Sequence, residues 1–127
     1  MPADVVRSFI RAIEHHELTR ALDHLTEDCE YDNVPLRKVF GRDAVRDTLE
    51  RFVAGFETIE WVVAHEVSSG NLDAGVVMNE RVDRFGNGDR WLELPVAGLF
   101  LIRHGQISLW RDYFDKDTFA AQMAALG

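Results

Sequence analysis

The sequence has 127 residues, of which 46% are hydrophobic and 28% are charged, and its formal net charge is −8. This length is typical of a single domain, residues 1–127, that can bury a core and enclose a small pocket. The acidic balance argues against a basic surface for nucleic acid and against a polybasic membrane contact, so we expect neither partner.

The first part of the sequence predicts helices. Apolar residues recur at helical spacing in residues 5–13, and a second short helix is predicted over residues 18–25. This N-terminal region carries charges throughout and has no apolar run typical of a signal peptide or a membrane span. His15 and His16 are adjacent, and neighbouring helical side chains point about 100° apart, so we interpret them as a solvated helix end and not as metal ligands.

The next segment predicts a strand followed by a helix. Residues 29–35, CEYDNVP, form a short strand that Pro35 ends. Cys29 is the single cysteine, so no internal disulfide can form and the chain is predicted to be reduced and cytoplasmic. We interpret Cys29 as a small buried side chain. A third helix is predicted over residues 41–56 from its apolar spacing.

From residue 57 onward the apolar residues follow the period of strands. Strands are predicted over residues 57–67, 74–85, 90–102 and 107–115, and a closing helix over residues 115–127. One face of the first of these strands carries Ile59, Trp61, Val63, His65 and Val67. Helices that precede a long meander predict an α+β fold: a cone-shaped, curved antiparallel (mixed) sheet with the N-terminal helices packed on one face, enclosing a pocket.

The segment WRDYFD carries the first candidate catalytic residue. Alternation places Asp112 on the same face as Trp110 and Phe114. Arg111 and Asp115 belong to the outer face or to the end of the strand. Because a buried carboxylate without a partner is costly, we expect Asp112 to bind a cation.

The segment NERVD offers that cation. Alternation places Arg81 and Asp83 on one face, and taken alone these two residues would form an ordinary solvated ion pair. The guanidinium of Arg81 can also bind two carboxylates at once, which predicts a cluster of Asp83, Arg81 and Asp112 at the mouth of the pocket. Tyr31 and Asn33 share a face in EYDN and either line the same cavity or are ordinary strand residues.

Together, the segments EYDNVPL…GRDAV, NERVD and WRDYFD closely resemble the limonene-1,2-epoxide hydrolase family over nearly the whole chain. The resemblance implies the nuclear-transport-factor-2 and SnoaL-like fold and a homodimer formed through the sheet. It implies an enzyme that adds water to a small lipophilic epoxide, terpene-like or cyclic, in one step, without metal, cofactor or covalent intermediate. By the resemblance, Asp112 is the general base, Tyr31 and Asn33 help it to hold the water, Asp83 is the general acid, and Arg81 bridges the carboxylates.

Two other functions stay open at this point. A ketosteroid-isomerase-like or polyketide-cyclase-like enzyme of the same fold needs one aspartate base and an oxyanion donor. Asp112 and Tyr31 could fill those roles, but Arg81 would have no clear task. A non-catalytic small-molecule-binding domain gives no reason for these polar side chains to converge.

Overall fold

The computed structural model describes all 127 residues. Four helices are present: α1 (Pro2–Glu14), α2 (Leu18–Leu22), α3 (Arg42–Val53) and α4 (Lys116–Leu126). Six strands are present: β1 (Leu25–Asn33), β2 (Arg37–Phe40), β3 (Thr58–Gly70), β4 (Ala74–Asn87), β5 (Arg90–Arg103) and β6 (Gln106–Tyr113).

The strands form one six-stranded sheet in the order β2-β1-β6-β5-β4-β3. Neighbouring strands are antiparallel, except that β1 and β6 run parallel. The sheet is not closed into a barrel, since β2 and β3 are its edges. The predicted α+β fold with a mixed, mainly antiparallel sheet is therefore confirmed.

The core lies between the inner face of the sheet and the helices. α1 packs against β3 and β4, because Val6, Phe9, Ile10 and Ile13 recur on one side of it and are buried. Each such side chain contributes roughly 1.5–3 kcal/mol when it is fully removed from water. The helices thus cover the inner face of the sheet and leave its other face open.

A β-bulge in β3 makes one part of the predicted strand pattern wrong. Val63 pairs with Arg81, but His65 pairs with Glu80, so Ala64 is an extra residue in β3. The extra residue reverses the faces beyond it. His65 and Val67, predicted to share a face with the buried Ile59 and Trp61, are exposed instead.

Several predicted boundaries also differ from the structure. The strand predicted over residues 29–35 begins earlier, at Leu25, where the second helix was predicted to end. A short edge strand, β2, follows it and was not predicted. β3 continues to Gly70, three residues beyond the strand end predicted at residue 67. Apart from the missed strand β2, these errors lie at element ends, where local sequence signals compete with strand pairing.

Cys29 is buried on β1. Burial raises the pKa of its thiol to about 12, so the thiolate needed for a nucleophile is disfavoured. The interpretation of Cys29 as a small buried side chain is confirmed. No helix of the structure combines the length and the apolar character needed to cross a membrane.

Candidate active site

The inner faces of four strands bring polar residues into one row. Asn33 on β1 lies opposite Asp112 on β6, and Asp112 lies opposite Gly98 on β5. Gly98 in turn lies opposite Asn79 on β4. Because side chains alternate along a strand, Arg81 shares the inner face of β4 with Asn79. Register alone therefore gathers residues that are distant in the sequence.

The guanidinium of Arg81 joins two carboxylates. Its Nε donates to Oδ1 of Asp83 at 2.7 Å, and its Nη2 lies 3.2 Å from Oδ2 of the same residue. The same Nη2 donates to Oδ2 of Asp112 at 2.7 Å, and Nη1 donates to Oδ1 of Asn79 at 2.9 Å. The structure thus brings together Asp83, Arg81 and Asp112, from segments that lie about thirty residues apart in the chain.

This cluster is buried and is not a solvated ion pair. The side chain of Arg81 is 0% exposed, and those of Asp83 and Asp112 are 6% exposed. The guanidinium carbon lies 4.9 Å from the ring centre of Trp61 and 5.9 Å from that of Phe100. Removing three charges from water is costly unless they are paired and hydrogen-bonded, as they are here.

Aromatic residues hold the second carboxylate. The indole Nε1 of Trp110 donates to Oδ1 of Asp112 at 3.0 Å. The ring of Tyr31 stacks on Trp110 with centroids 3.8 Å apart and an interplanar angle of 13°. Both oxygens of Asp112 therefore accept a hydrogen bond, one from an arginine and one from a tryptophan, which fixes the plane of the carboxylate.

The carboxylates face a cavity of about 330 Å³ that is lined by sixteen residues, eleven of them hydrophobic. Tyr31, Asn33, Asp83 and Asp112 all line it. Arg81 does not line it and lies behind the two aspartates. The arrangement presents carboxyl groups to a ligand while the compensating positive charge stays out of its reach.

The ionisation of these groups follows from their burial. Burial raises the pKa of Asp83 to about 6, although Arg81 pulls it in the opposite direction. Burial, reinforced by the charge of Asp112, holds the pKa of Tyr31 above its usual value. Burial opposes the charge of Arg81, but the two carboxylates outweigh it and keep the pKa of Arg81 above its usual value. Near neutral pH, Asp83 is thus the group best placed to exchange a proton.

The polar residues on the other face of β1 and β6 form a separate network. Arg111 donates from Nε to Asp32 at 3.1 Å and from Nη2 to Glu30 at 2.9 Å. Asp115 caps α4, where its Oδ2 accepts from the backbone N–H of Thr118 at 2.9 Å. The predicted division of WRDYFD into an inner face with Asp112 and an outer face or strand end is confirmed.

The sequence patterns missed three residues of the site. Asn79 binds Arg81, Trp110 binds Asp112, and Gly98 leaves the room that the guanidinium occupies. A Cβ atom at Gly98 would lie 2.3 Å from Nη1 of Arg81. A glycine inside a strand does signal a close approach, and both other residues lie two positions before a predicted site residue, so their faces were readable from the sequence.

The site can perform acid–base chemistry. It offers two carboxyl groups in one apolar cavity, one of them with a raised pKa, and a phenol and an amide beside them. The residues of the chain form no group of three or more histidine, cysteine, aspartate or glutamate side chains placed to hold a metal ion.

Comparison with known proteins relates this chain to a family. Residues 1–124 match the family described as the limonene-1,2-epoxide hydrolase catalytic domain. Epoxide hydrolase EphG of Mycobacterium tuberculosis is 30% identical over an alignment length of 124 residues, and the match covers 95% of this chain and 78% of that protein. The structure of an M. tuberculosis LEH-like epoxide hydrolase superimposes with a TM-score of 0.78 at 25% identity, covering 98% of this chain and 93% of the other. An NTF2-like protein of unknown function from Cytophaga hutchinsonii gives a TM-score of 0.75 at 20% identity over 92% of each chain, which supports the fold alone.

Proposed function

Because the chain belongs to the limonene-1,2-epoxide hydrolase family, we propose that its single domain, residues 1–127, adds water to a small lipophilic epoxide, terpene-like or cyclic, to give a vicinal diol. The observation that carries this proposal is a pair of buried carboxylates on one guanidinium, facing an apolar cavity. Water opens an epoxide when one group removes a proton from the nucleophile and another gives a proton to the ring oxygen.

Asp112 is the general base of the proposed reaction. Each of its oxygens accepts one hydrogen bond from the protein, and each keeps a second lone pair that can face a water molecule. Tyr31 and Asn33 line the cavity beside it and orient that water toward a ring carbon, with Tyr31 keeping its phenolic proton because burial raises its pKa. Because the water is already held in place, it loses less translational and rotational entropy on reaching the transition state.

Asp83 is the general acid. Burial raises its pKa to about 6, so it retains a proton at a higher pH than an exposed aspartate does. Its Oδ2 makes the longer contact with Arg81, 3.2 Å, against 2.7 Å for Oδ1. We assign the proton to Oδ2, since the shorter contact favours a negative charge on Oδ1.

The proposed step balances without a cofactor. The water oxygen bonds to one ring carbon as its proton passes to Asp112, and the bond between that carbon and the ring oxygen breaks as Asp83 protonates the oxygen. Asp112 is then protonated and Asp83 is ionised, and exchange with solvent returns both to their starting forms. Each proton transfer contributes ~10²–10⁴-fold to the rate.

A panel of terpene-like and cyclic epoxides tests the proposal, with diol formation as the readout. We expect Asp112→Asn and Asp83→Asn each to lower kcat at least ~10²-fold, because each removes one proton transfer. Asp32→Asn is the matched control, since Asp32 pairs with Arg111 on the other face of the sheet and should retain activity. An Asp112→Asn or Asp83→Asn variant with nearly wild-type turnover contradicts the mechanism.

The isomerase or cyclase alternative has less support. It needs one aspartate and one oxyanion donor, whereas Arg81 holds two carboxylates with comparable geometry. Double-bond migration in an enone steroid, without diol formation from any epoxide, would favour that alternative.

The open face of the sheet supports a second proposal, a homodimer formed through the sheet. Val62, Val67, Val76 and Met78 are 38–67% exposed on the outer faces of β3 and β4, which is unusual for neighbouring apolar residues on a monomer. Sedimentation equilibrium should give twice the chain mass, and Val67→Glu with Met78→Glu should give one chain mass. A monomeric wild-type protein contradicts this proposal.

A further inference from the structure

One cationic side chain lines the mainly apolar cavity. Arg51 lies in the last turn of α3 and contributes to the cavity wall together with Thr48, one turn earlier. The chain as a whole carries 14 basic and 22 acidic residues, so a guanidinium at this position opposes the average charge of the molecule.

Arg51 has no partner within the chain, unlike the arginines before it on α3. Nη2 of Arg42 donates to the backbone oxygen of Leu25, and Nη2 of Arg46 donates to Oγ1 of Thr19 at 3.2 Å. No carboxylate or carbonyl of the chain binds the guanidinium of Arg51, which is exposed at the rim. A basic residue in the last turn of a helix also interacts favourably with the helix dipole, but this interaction does not require the side chain to line the cavity.

A second cavity adjoins the first and also has arginines in its lining. It has a volume of about 290 Å³ and shares Arg51 and Phe52 with the first cavity. Arg90 also lines it, and no acidic side chain does. Nη1 of Arg90 donates to the backbone oxygen of Leu126 at 2.9 Å, which leaves its other nitrogens available. Two guanidinium groups therefore lie at the outer end of the region whose inner end holds Asp83 and Asp112.

We propose that the substrate is amphipathic: an epoxide on an apolar body whose far end carries a compact anion, such as a carboxylate, bound by Arg51 at the rim. This inference rests on the proposed hydrolase function and specifies its substrate class. The epoxide lies at the aspartates, the apolar body contacts the hydrophobic wall, and the anion avoids the acidic inner end. The cavity volume of about 330 Å³ is at the small end of ligand sites, so the apolar body is short.

Matched substrates test this assignment. The acid is a short alkyl chain with a terminal epoxide at one end and a carboxylate at the other, and its methyl ester is the neutral comparison. In the wild-type protein we expect kcat/KM for the acid to exceed that for the ester by about fivefold to tenfold, as for an exposed charge-assisted hydrogen bond.

Variants on α3 distinguish binding of the anion at Arg51 from a general effect of removing one positive charge. Arg51→Gln should abolish the preference by raising KM for the acid, with kcat unchanged and the ester unaffected, and Arg51→Lys should keep part of the preference. Arg46→Gln is the control, because Arg46 lies on the same helix outside both cavities. The inference is overturned if the wild type does not prefer the acid, or if Arg46→Gln lowers kcat/KM for the acid as much as Arg51→Gln does.

A binding measurement distinguishes failure of this inference from failure of the hydrolase proposal. If the ester gives diol but Arg51 has no effect on the acid, the inference fails and the hydrolase stands. If no epoxide gives diol, the hydrolase proposal fails, and calorimetry with the saturated carboxylate and the matching alcohol decides the inference. The carboxylate must then bind the wild type about fivefold to tenfold more tightly than Arg51→Gln; equal affinities overturn it.

Discussion

Gly98 offers a sharp test of how the site is held together. A Cβ atom added there would lie 2.3 Å from Nη1 of Arg81, 2.9 Å from Oδ1 of Asn79 and 3.1 Å from Oδ1 of Asp112. Ordinary van der Waals contact begins at 3.4 Å, so Nη1 of Arg81 must move by about 1 Å. Gly98→Ala therefore displaces the guanidinium that joins the two carboxylates while it adds a single methyl group.

We expect Gly98→Ala to lower kcat about 10²-fold, the loss typical of a 1 Å misplacement near a reacting centre. Overpacking of a buried site costs about 1–3 kcal/mol of unfolding free energy, so the variant should still fold. Steady-state kinetics with an epoxide that the wild type hydrolyses, together with urea unfolding, give both quantities on the same preparation.

Gly86→Ala is the matched control. Its Cβ atom would lie 2.6 Å from Cδ2 of Trp91, also within the sheet but away from the carboxylates. The two variants should lose comparable unfolding free energy. Only Gly98→Ala should also show a large loss of kcat. A Gly98→Ala variant with kcat within threefold of wild type would refute the reasoning that the guanidinium position matters.

Two further predictions concern the carboxylates. The pKa of Asp83 is about 6 in the folded state against the usual 3.8, so protonation of Asp83 stabilises the folded state. This contribution to the free energy of unfolding is fully present below pH 3.8 and is lost as pH rises through about 6. Urea unfolding between pH 4 and pH 8 should show this loss in the wild type but not in Asp83→Asn, and kcat/KM should fall above a pH of about 6; identical stability profiles would contradict the assignment. Trp110→Phe removes the donor to Asp112 and should lower kcat about tenfold with little change in KM; an unchanged kcat would show that this hydrogen bond does not position the base.

The face assignments in the sequence came from the two-residue period of strands. That period correctly placed Asp112 with Trp110, and Arg81 with Asp83, because NERVD and the first four residues of WRDYFD lie in regular parts of β4 and β6. The same rule failed at His65, since the extra residue Ala64 shifts the register of β3. A bulge depends on the partner strand, so the sequence of β3 alone does not reveal it.

Other features of the site depend on contacts between distant segments. A glycine inside a strand, such as Gly98, is a general signal of a close approach, but only the register of β4, β5 and β6 shows that the approaching group is the guanidinium of Arg81. The place of Arg51 in the cavity wall depends on how α3 packs over the sheet. The roles of the site residues, the homodimer and the cytoplasmic location stay predictions.

The central claim is that water attacks the epoxide directly, with Asp112 as its base. A single turnover with enzyme in excess, in water enriched in heavy oxygen, tests it by mass spectrometry of the first diol. Direct attack predicts one heavy oxygen in that diol and none in the protein. A first diol without the label would mean that a carboxylate of the protein had bonded to the substrate, and the proposed one-step mechanism would be wrong.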